Sequence, residues 1–310
     1  MISVVVSLYN KEKSILNTIN SALNQRYSDF ELVVIDDGST DTGVKIVNQI
    51  IDPRIKLYTQ QNRGVSNARN RGVCEAKYNY VALLDADDIW DPFFLEEMIR
   101  LIEDYPEASL FGCTWAFIHA DGRKAVADYM IPEGFRGYVD NYFETGIQNA
   151  LFNSSSVLFE KNAFFELGMF DETLTIGEDV DLWFRFALKK RLAFINKCMS
   201  FYLLGTENRA SNKEKIPTEC LIWNLDRFKN DEDTNPNFKT FLDSWRFAHI
   251  DKFFKGDKSE IQEITPLLKR MDLSKYPVFW TIIQDLPKPL QLVLYNIRLN
   301  YQKILEQIRP

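Results

Sequence analysis

Residues 80–88, Tyr-Val-Ala-Leu-Leu-Asp-Ala-Asp-Asp, place a short apolar run directly before three acidic residues. A run of this length predicts a buried β-strand that ends where the acids begin. Two earlier apolar runs also end in polar residues, since residues 2–10 read Ile-Ser-Val-Val-Val-Ser-Leu-Tyr-Asn and residues 31–37 read Glu-Leu-Val-Val-Ile-Asp-Asp. Short apolar strands are typical of a sheet covered on both faces, and polar residues at their ends mark the edge where such sheets bind ligands.

The segments between these runs have apolar residues at helical spacing. We predict strands at residues 2–8, 31–35, 55–59, 80–84, 109–119 and 155–159, and helices at 11–25, 42–51, 65–76 and 178–190. Alternation of strands and helices implies right-handed crossovers and a mainly parallel sheet. The fold class is therefore α/β, with helices flanking the sheet.

The pattern changes after Gly205. Residues 216–310 read as helical, interrupted by charged segments at 230–237 and 255–258. One helical face carries four large apolar residues, namely Phe238, Phe241, Leu242 and Trp245. We predict two domains, an α/β domain at 1–212 and an all-helical extension at 213–310 with its own small core.

The composition is that of a soluble globular protein, with 45% hydrophobic and 26% charged residues and a formal net charge of -7. An acidic balance of this kind argues against nucleic acid as a partner. The four cysteines are widely spaced and suggest neither a disulfide framework nor a zinc site. No leader precedes the first strand, and no apolar run approaches the roughly 20 residues that span a bilayer. These features predict a cytoplasmic protein.

The segment Asp85-Ala86-Asp87 is the sharpest chemical signal. Side chains two apart in an extended segment point the same way, so both carboxylates can face one cation. Carboxylate oxygens suit Mg²⁺ or Mn²⁺, which bind through one or two carboxylates plus substrate phosphates. The alternative is an acidic turn, in which Asp88 or Asp91 caps a helix that starts near Pro92.

The segment at residues 36–41, Asp-Asp-Gly-Ser-Thr-Asp, also has a functional and a structural interpretation. Asp37 can accept hydrogen bonds from a nucleobase or a ribose at the sheet edge. Alternatively, the segment is a turn in which Ser39 or Asp41 caps the next helix.

Residues 62–72 hold three arginines in an otherwise acidic chain. Arginine is suited to bidentate contact with phosphate, although a solvated basic helix face explains the same residues. No glycine-rich dinucleotide or P-loop motif occurs, which argues against hydride transfer and P-loop phosphoryl transfer.

Three acids, Glu178, Asp179 and Asp181, stand at the start of a predicted helix. They complement the helix macrodipole, or one of them is a general base held near a nucleophile. Their spacing does not select among them.

In order and spacing, these motifs resemble those of the family 2 glycosyltransferases over about the first 200 residues. The resemblance implies a GT-A fold and an inverting enzyme that transfers a sugar from a nucleotide diphosphate donor, usually a UDP-sugar. It also implies roles for particular residues. Tyr9 and Asp37 would hold the base, Arg69 with Asn62 or Arg63 would line the donor site, Asp85 would contact the ribose or the donor sugar, Asp87 would ligate Mn²⁺ or Mg²⁺, and Asp179 would be the general base.

One stretch departs from the family pattern. Members often carry an Arg and a His after the last core strand, but residues 201–209 contain no His. Arg209 could substitute for the missing contact.

The resemblance further implies a saccharide or lipid-linked saccharide acceptor, as in bacterial surface-polysaccharide or glycolipid assembly. The net-positive, apolar segment 271–310 either packs on the core or lies on the inner face of a membrane. Two alternative functions are a non-catalytic nucleotide-sugar binding protein and a sugar nucleotidyltransferase. The second lacks support, because no glycine-rich triphosphate loop with a lysine is present near the first strand.

Overall fold

The computed structural model describes residues 1–127, 129, 131–145, 150–206 and 216–253, without the side chains of residues 217 and 247–253. The chain divides into two compact units, residues 1–227 and 228–310. The predicted domain boundary at 212–213 lies outside the described residues.

Within the described residues, the first unit is built on one ten-stranded sheet. Its strands are β1 (Ile2–Leu8), β2 (Phe30–Asp36), β3 (Ile55–Thr59), β4 (Tyr80–Asp85), β5 (Asp88–Trp90), β6 (Ala108–Ile118), β7 (Lys124–Val126), β8 (Arg136–Tyr138), β9 (Val157–Glu160) and β10 (Arg191–Leu203). Their spatial order is β3-β2-β1-β4-β9-β6-β10-β5, with β7 beside β6 and β8 beside β10. Strands β1 to β4 pair in parallel, as do β6 and β10, whereas β9 runs antiparallel between β4 and β6.

Helices flank this sheet in the first unit. They are α1 (Ile15–Leu23), α2 (Gly43–Gln49), α3 (Val65–Glu75), α4 (Phe94–Asp104), α5 (Tyr142–Thr145), α6 (Lys161–Glu166) and α7 (Glu178–Lys189). Every residue of β2 is buried, as a sheet covered on both faces requires. Helix α3 packs directly on β1, because a Cβ atom at Gly72 would lie 2.3 Å from Cγ1 of Val5. This close packing places the start of α3 beside the ends of β1 and β2.

The mainly parallel α/β sheet confirms the fold class predicted from the sequence. All six predicted strands are present, displaced by at most two residues at either end. Helix α1 begins at Ile15 rather than residue 11, and residues 11–14 form the turn that leads into it, with the Ile15 N–H donating to the Lys11 carbonyl at 2.9 Å.

Strand β10 corrects the interpretation of residues 201–209 as a loop after the last strand. Residues 201–203 belong to β10 and pair with β6, so only the residues after Leu203 leave the sheet. Register shifts at Ile195/Cys198 and Cys198/Ser200 interrupt its alternation of buried and exposed side chains, which conceals the strand in the sequence. Arg209, the predicted substitute contact, lies outside the described residues.

The described part of the second unit is helical, with α8 (Lys229–Thr234) and α9 (Pro236–Phe253). Of the predicted apolar face, Phe238, Phe241 and Leu242 are buried, and Trp245 is partly buried. The rings of Phe228 and Phe238 meet edge to face at 5.7 Å. The segment 271–310 and its predicted membrane contact lie outside the described residues. Among the described helices, none is long and apolar enough to cross a membrane.

Candidate functional site

The carboxyl ends of β1, β2 and β4 meet at one edge of the sheet. Leu8 of β1 pairs with Asp36 of β2, and Ser7 pairs with Asp85 of β4. The predicted site residues Tyr9, Asp37 and Asp87 therefore follow three neighbouring strands, which is where ligands of parallel sheets bind. Of these, Tyr9 is partly exposed in the bend after β1.

The Asp37 carboxylate organises the loop that precedes α3. It accepts the backbone N–H groups of Arg63 and Gly64, both at 2.9 Å, and the Nε2 group of Gln60 at 2.8 Å. Gly38 permits this approach, since its φ is +75° and a Cβ atom there would lie 2.8 Å from the Asn62 nitrogen. Asn62 and Arg63 are exposed beside Asp37, so the structure brings these three predicted donor residues together.

The capping alternative for this segment is not realised, because the N-cap residue of α2 is Thr42 and it makes no side-chain capping hydrogen bond; Asp41 instead supports the turn before the helix. Its Oδ1 atom accepts the Gly43 N–H at 2.9 Å at the start of α2. Ser39 instead accepts the Asn10 N–H, which ties the turn after β2 to the turn after β1. This acidic segment thus forms the turn before α2 and presents Asp37 at the sheet edge.

Arg69 cross-links two parts of the site that are distant in sequence. Its Nη2 atom donates to both oxygens of Asp85, at 2.7 and 3.0 Å, and its Nη1 atom donates to Oε1 of Glu178 at 2.9 Å. The side chain is buried, and the residue is 4% exposed. The guanidinium therefore joins the end of β4 to the start of α7.

The three acids at the start of α7 have different partners. Asp181 is fully buried and pairs with Arg185 and Arg227, so its role is structural. Glu178 is committed to Arg69. Asp179 is partly buried and accepts the backbone N–H of Val180 at 2.8 Å. The structure therefore makes the distinction among these acids that their spacing leaves open.

Burial and the charges around Arg69 raise the proton affinities of Glu178 and Asp179. Burial and the neighbouring Asp179 raise the pKa of Glu178 to about 7, against the opposing effect of Arg69. Burial also raises the pKa of Asp179, and the positive charge of Arg69 again limits the rise. Burial would lower the pKa of Arg69, but Asp85, Glu178 and Asp179 raise it, so the guanidinium stays charged. A carboxylate with a raised pKa is a stronger base.

Asp87 lies in a different ionic environment. Its Oδ2 atom accepts hydrogen bonds from the Lys11 ammonium at 2.5 Å and from the Thr206 hydroxyl at 2.7 Å. The Asp87 side chain is partly buried at this contact. Two donors that lie far apart in the sequence therefore bond the same carboxylate oxygen.

Asp88 does not cap a helix. It is buried in β5, and its Oδ2 atom accepts the Ser155 hydroxyl at 2.6 Å. The Ser155 Oγ atom in turn accepts the Asp85 N–H at 3.0 Å, which fixes the turn between β4 and β5. Asp91 does not cap α4 either, because its Oδ1 atom accepts the Phe93 N–H at 3.0 Å in the turn before the helix, whose N-cap residue is Phe93. Burial, followed by the charges of Asp85 and Asp87, raises the pKa of Asp88.

The residues around Asp87 fit a divalent metal only in part. No group of three His, Cys, Asp or Glu side chains among the described residues could hold such an ion. Both oxygens of Asp85 accept Arg69, whereas the two donors on Asp87, Lys11 and Thr206, share its Oδ2 atom, so Asp87 is the better placed of the two carboxylates. Since Mg²⁺ often binds through one carboxylate and substrate phosphates, the donor set fits a metal that arrives with a diphosphate.

Sequence reasoning missed Lys11, Thr206 and the serines at 154–156. The run Asn-Ser-Ser-Ser at 153–156 was a visible polar signal, and it forms a turn behind β4 in which the Ser154 hydroxyl lies 3.5 Å from Oδ2 of Asp179. Lys11 follows the Tyr-Asn pair at the end of β1. Nothing in the sequence marks Thr206.

Known proteins similar to this chain are glycosyltransferases by name. The family model described as "Glycosyl transferase family 2" matches residues 3–174. An uncharacterized glycosyltransferase of Nostoc sp. is 35% identical over 136 residues, covering 43% of this chain and 41% of that protein. One of Rickettsia conorii is 31% identical over 201 residues, covering 64% of this chain and 32% of that protein. This chain therefore matches less than half the length of either relative.

Two further similarities concern the cell surface and the fold. A Bacillus subtilis protein, provisionally described as the teichuronic acid biosynthesis glycosyltransferase TuaG, is 27% identical over 69% of this chain and 83% of its own length. Among solved structures, residues 1–349 of TarS from S. aureus in complex with UDP-GlcNAc superpose with a TM-score of 0.60. That match has 20% identity and covers 88% of this chain and 73% of the other, so it supports the fold.

Proposed function

The chain belongs to glycosyltransferase family 2, and on this premise we propose that it is an inverting enzyme that transfers a sugar from a nucleoside diphosphate donor to an acceptor hydroxyl. The observation that carries the proposal is the Arg69 bridge, which brings Asp85 and the Glu178-Asp179 pair together at the carboxyl edge of the sheet. Such a transfer needs a cation near the diphosphate and a base near the acceptor hydroxyl. This edge carries the exposed Arg63 and the carboxylate of Asp179, whose pKa is raised.

The donor nucleotide is assigned to the side of the edge formed by Tyr9, Asp37, Asn62 and Arg63. The partly exposed ring of Tyr9 offers a face for a base, and Asp37 holds the exposed loop at 60–64 beside it. Asp85 is assigned to the ribose or the donor sugar. We favour a UDP-sugar as the donor, in line with the nucleotide sugar bound by the TarS structure.

Asp179 is the proposed general base. Its carboxylate removes the proton from the acceptor hydroxyl as that oxygen attacks the anomeric carbon, and the nucleoside diphosphate leaves from the opposite face. Burial raises the pKa of Asp179, which strengthens it as a base, while the Arg69 charge keeps the ionised form accessible. A Mn²⁺ or Mg²⁺ ion held by Asp87 and the diphosphate oxygens would act as a Lewis acid on the leaving group.

The acceptor is proposed to be a saccharide or a lipid-linked saccharide in the assembly of a bacterial surface polysaccharide. The support is the similarity to the Bacillus subtilis protein described as acting in teichuronic acid biosynthesis.

The test separates donor binding from chemistry. Binding of UDP, GDP and dTDP is measured by calorimetry with and without Mn²⁺, and donor turnover is followed as release of the nucleoside diphosphate from the matching nucleotide sugar. Asp179→Asn is expected to bind the nucleotide as the wild type does and to turn over about 10²–10⁴-fold more slowly, as expected for loss of a general base. Since the pKa of Asp179 is raised, the acid limb of the wild-type pH–rate profile is expected above its ordinary value of 3.8.

Asp121→Asn is a matched control, because it makes the same chemical change at an exposed aspartate that pairs with Arg123. An unchanged turnover in Asp179→Asn would remove the base assignment. A wild type that binds the nucleotide without any turnover would instead indicate a nucleotide-sugar binding protein, and pyrophosphate release from a nucleoside triphosphate plus a sugar phosphate would indicate a nucleotidyltransferase.

A further inference from the structure

The ammonium group of Lys11 pairs with Asp87, the carboxylate that would bind the metal. Its Nζ atom lies 2.5 Å from Oδ2 of Asp87, and its side chain is 10% exposed. The Thr206 hydroxyl donates to the same oxygen at 2.7 Å. The resemblance assigns Asp87 to a divalent cation and gives no role to Lys11.

Resting on the proposed function, we propose that Lys11 is an exchangeable cation of the donor site. It neutralises Asp87 before the donor binds. When a divalent cation enters with the nucleoside diphosphate, the Lys11 ammonium leaves Asp87 and pairs with a diphosphate oxygen. Lys11 is thereby a binding residue for the diphosphate and a competitor of the metal in its absence.

The charges around Asp87 support this exchange. Two cations on one carboxylate oxygen repel each other, and the repulsion is strong where both are partly buried. Asp85 is the poorer ligand for a metal, since both of its oxygens already accept hydrogen bonds from the charged guanidinium of Arg69. A diphosphate adds the negative charge that allows the ammonium and the metal to occupy the site together. Metal and nucleotide therefore favour each other's binding, and the coupling is reciprocal.

We expect the substitution Lys11→Met to change the affinities for Mn²⁺ and for UDP in opposite directions. In Lys11→Met, Mn²⁺ without nucleotide is expected to bind about tenfold more tightly, since the competing charge is gone. The same variant is expected to bind UDP in the presence of Mn²⁺ about tenfold more weakly, since a diphosphate contact is lost. A structural role for Lys11 would change both affinities in the same direction or neither.

The experiment measures free Mn²⁺ by electron paramagnetic resonance and UDP binding by calorimetry at saturating Mn²⁺. Lys11→Gln accompanies Lys11→Met as a polar substitution in case the apolar one impairs folding, and thermal unfolding is recorded for both. Lys13→Met is the matched control, because Lys13 is exposed in the same turn and its loss changes the net charge equally. The control is expected to behave as the wild type in both measurements.

Tighter Mn²⁺ binding together with weaker UDP binding in the Lys11 variants supports the exchange. Unchanged or weaker Mn²⁺ binding in those variants overturns it, whatever the UDP arm shows. Failure of the proposed function is a separate outcome: the wild type would then bind no nucleoside diphosphate in any condition, while the Mn²⁺ arm still decides whether Lys11 opposes the metal.

Discussion

Arg69 and Arg246 are both buried between two carboxylates, but the two clusters have different charge balances. Arg69, in the first unit, joins Asp85 and Glu178, with Asp179 near enough to add a third negative charge. The three acids thus outnumber the single cation that they share, and burial together with this excess of negative charge raises the pKa values of Glu178 and Asp179.

The Arg246 cluster in the second unit is balanced. Arg246 is fully buried and donates to both oxygens of Glu232, at 2.6 and 2.7 Å, and to Asp243 at 3.1 Å. Lys239 supplies a second cation, 3.4 Å from Glu232. Burial would raise the pKa of Glu232, but Arg246 and Lys239 lower it.

The difference in charge balance indicates that a buried arginine can serve two purposes. Where cations match acids, the carboxylates stay ionised and the cluster serves the packing of two helices. Where acids exceed cations, one carboxylate is left with a raised proton affinity, which a general base needs. Three predictions test this comparison.

Removal of Arg246 is expected to have the largest effect, on stability alone. Arg246→Met leaves two buried acids with one partly exposed cation, and breaking a buried ion pair in this way costs about 3–5 kcal/mol of unfolding free energy. The measurement is hydrogen exchange of the backbone amides of α8 and α9, with urea unfolding beside it. Nucleotide binding by the first unit is expected to be unchanged.

Lys239→Met serves as the control for this substitution. Its side chain is 35% exposed, so its loss is expected to cost less than about 1 kcal/mol. Equal losses in the two variants would contradict the assignment of Arg246 as the centre of the cluster.

Removal of Arg69 is expected to reduce transfer. Arg69→Met releases Asp85 from Glu178, and a misplacement of reacting groups by about 1 Å can lower the rate about 10²-fold. The measurement is kcat/KM for release of the nucleoside diphosphate, with folding checked by thermal unfolding. Arg71→Met is the control, since Arg71 lies two residues on in α3 and bonds the Thr59 carbonyl instead. If the folded Arg69→Met variant kept its transfer activity, the Arg69 cluster would contribute only to packing, as the Arg246 cluster does.

The smallest expected effect is in the pH dependence of stability, and it has opposite signs in the two clusters. The folded-state pKa of Glu178 is raised from 4.5 to about 7, so the folded state holds a proton that the unfolded state releases, and stability falls as pH rises through this window. The folded-state pKa of Glu232 is lowered, so its contribution is present above 4.5 and is lost as pH falls through the lowered value.

Urea midpoints measured from pH 3 to pH 8 check these signs. Glu178→Gln is expected to flatten the decline towards neutral pH, whereas Glu232→Gln is expected to flatten the decline in acid. If both variants flatten the same limb, the two clusters do not differ in charge balance as described.

Much of the fold could be predicted from the sequence, because β1, β2 and β4 are buried on both faces of the sheet and therefore read as nearly continuous apolar runs. The polar residues that follow them had to meet at one edge, since the carboxyl ends of parallel strands do so. Strand β10 resisted prediction because its bulges break the alternation, and β5 because three residues carry no period.

The sequence alone determined which chemistry is available: an acidic segment at the end of β4, a glutamate–aspartate pair at the start of α7 and arginines near α3. Only the tertiary structure decided which charges pair. Lys11 and Asp87 are 76 residues apart, and Arg69 and Glu178 are 109 apart. Such pairs leave no periodic trace, because a charged side chain is compatible with solvent or with any opposite charge, and packing alone selects its partner.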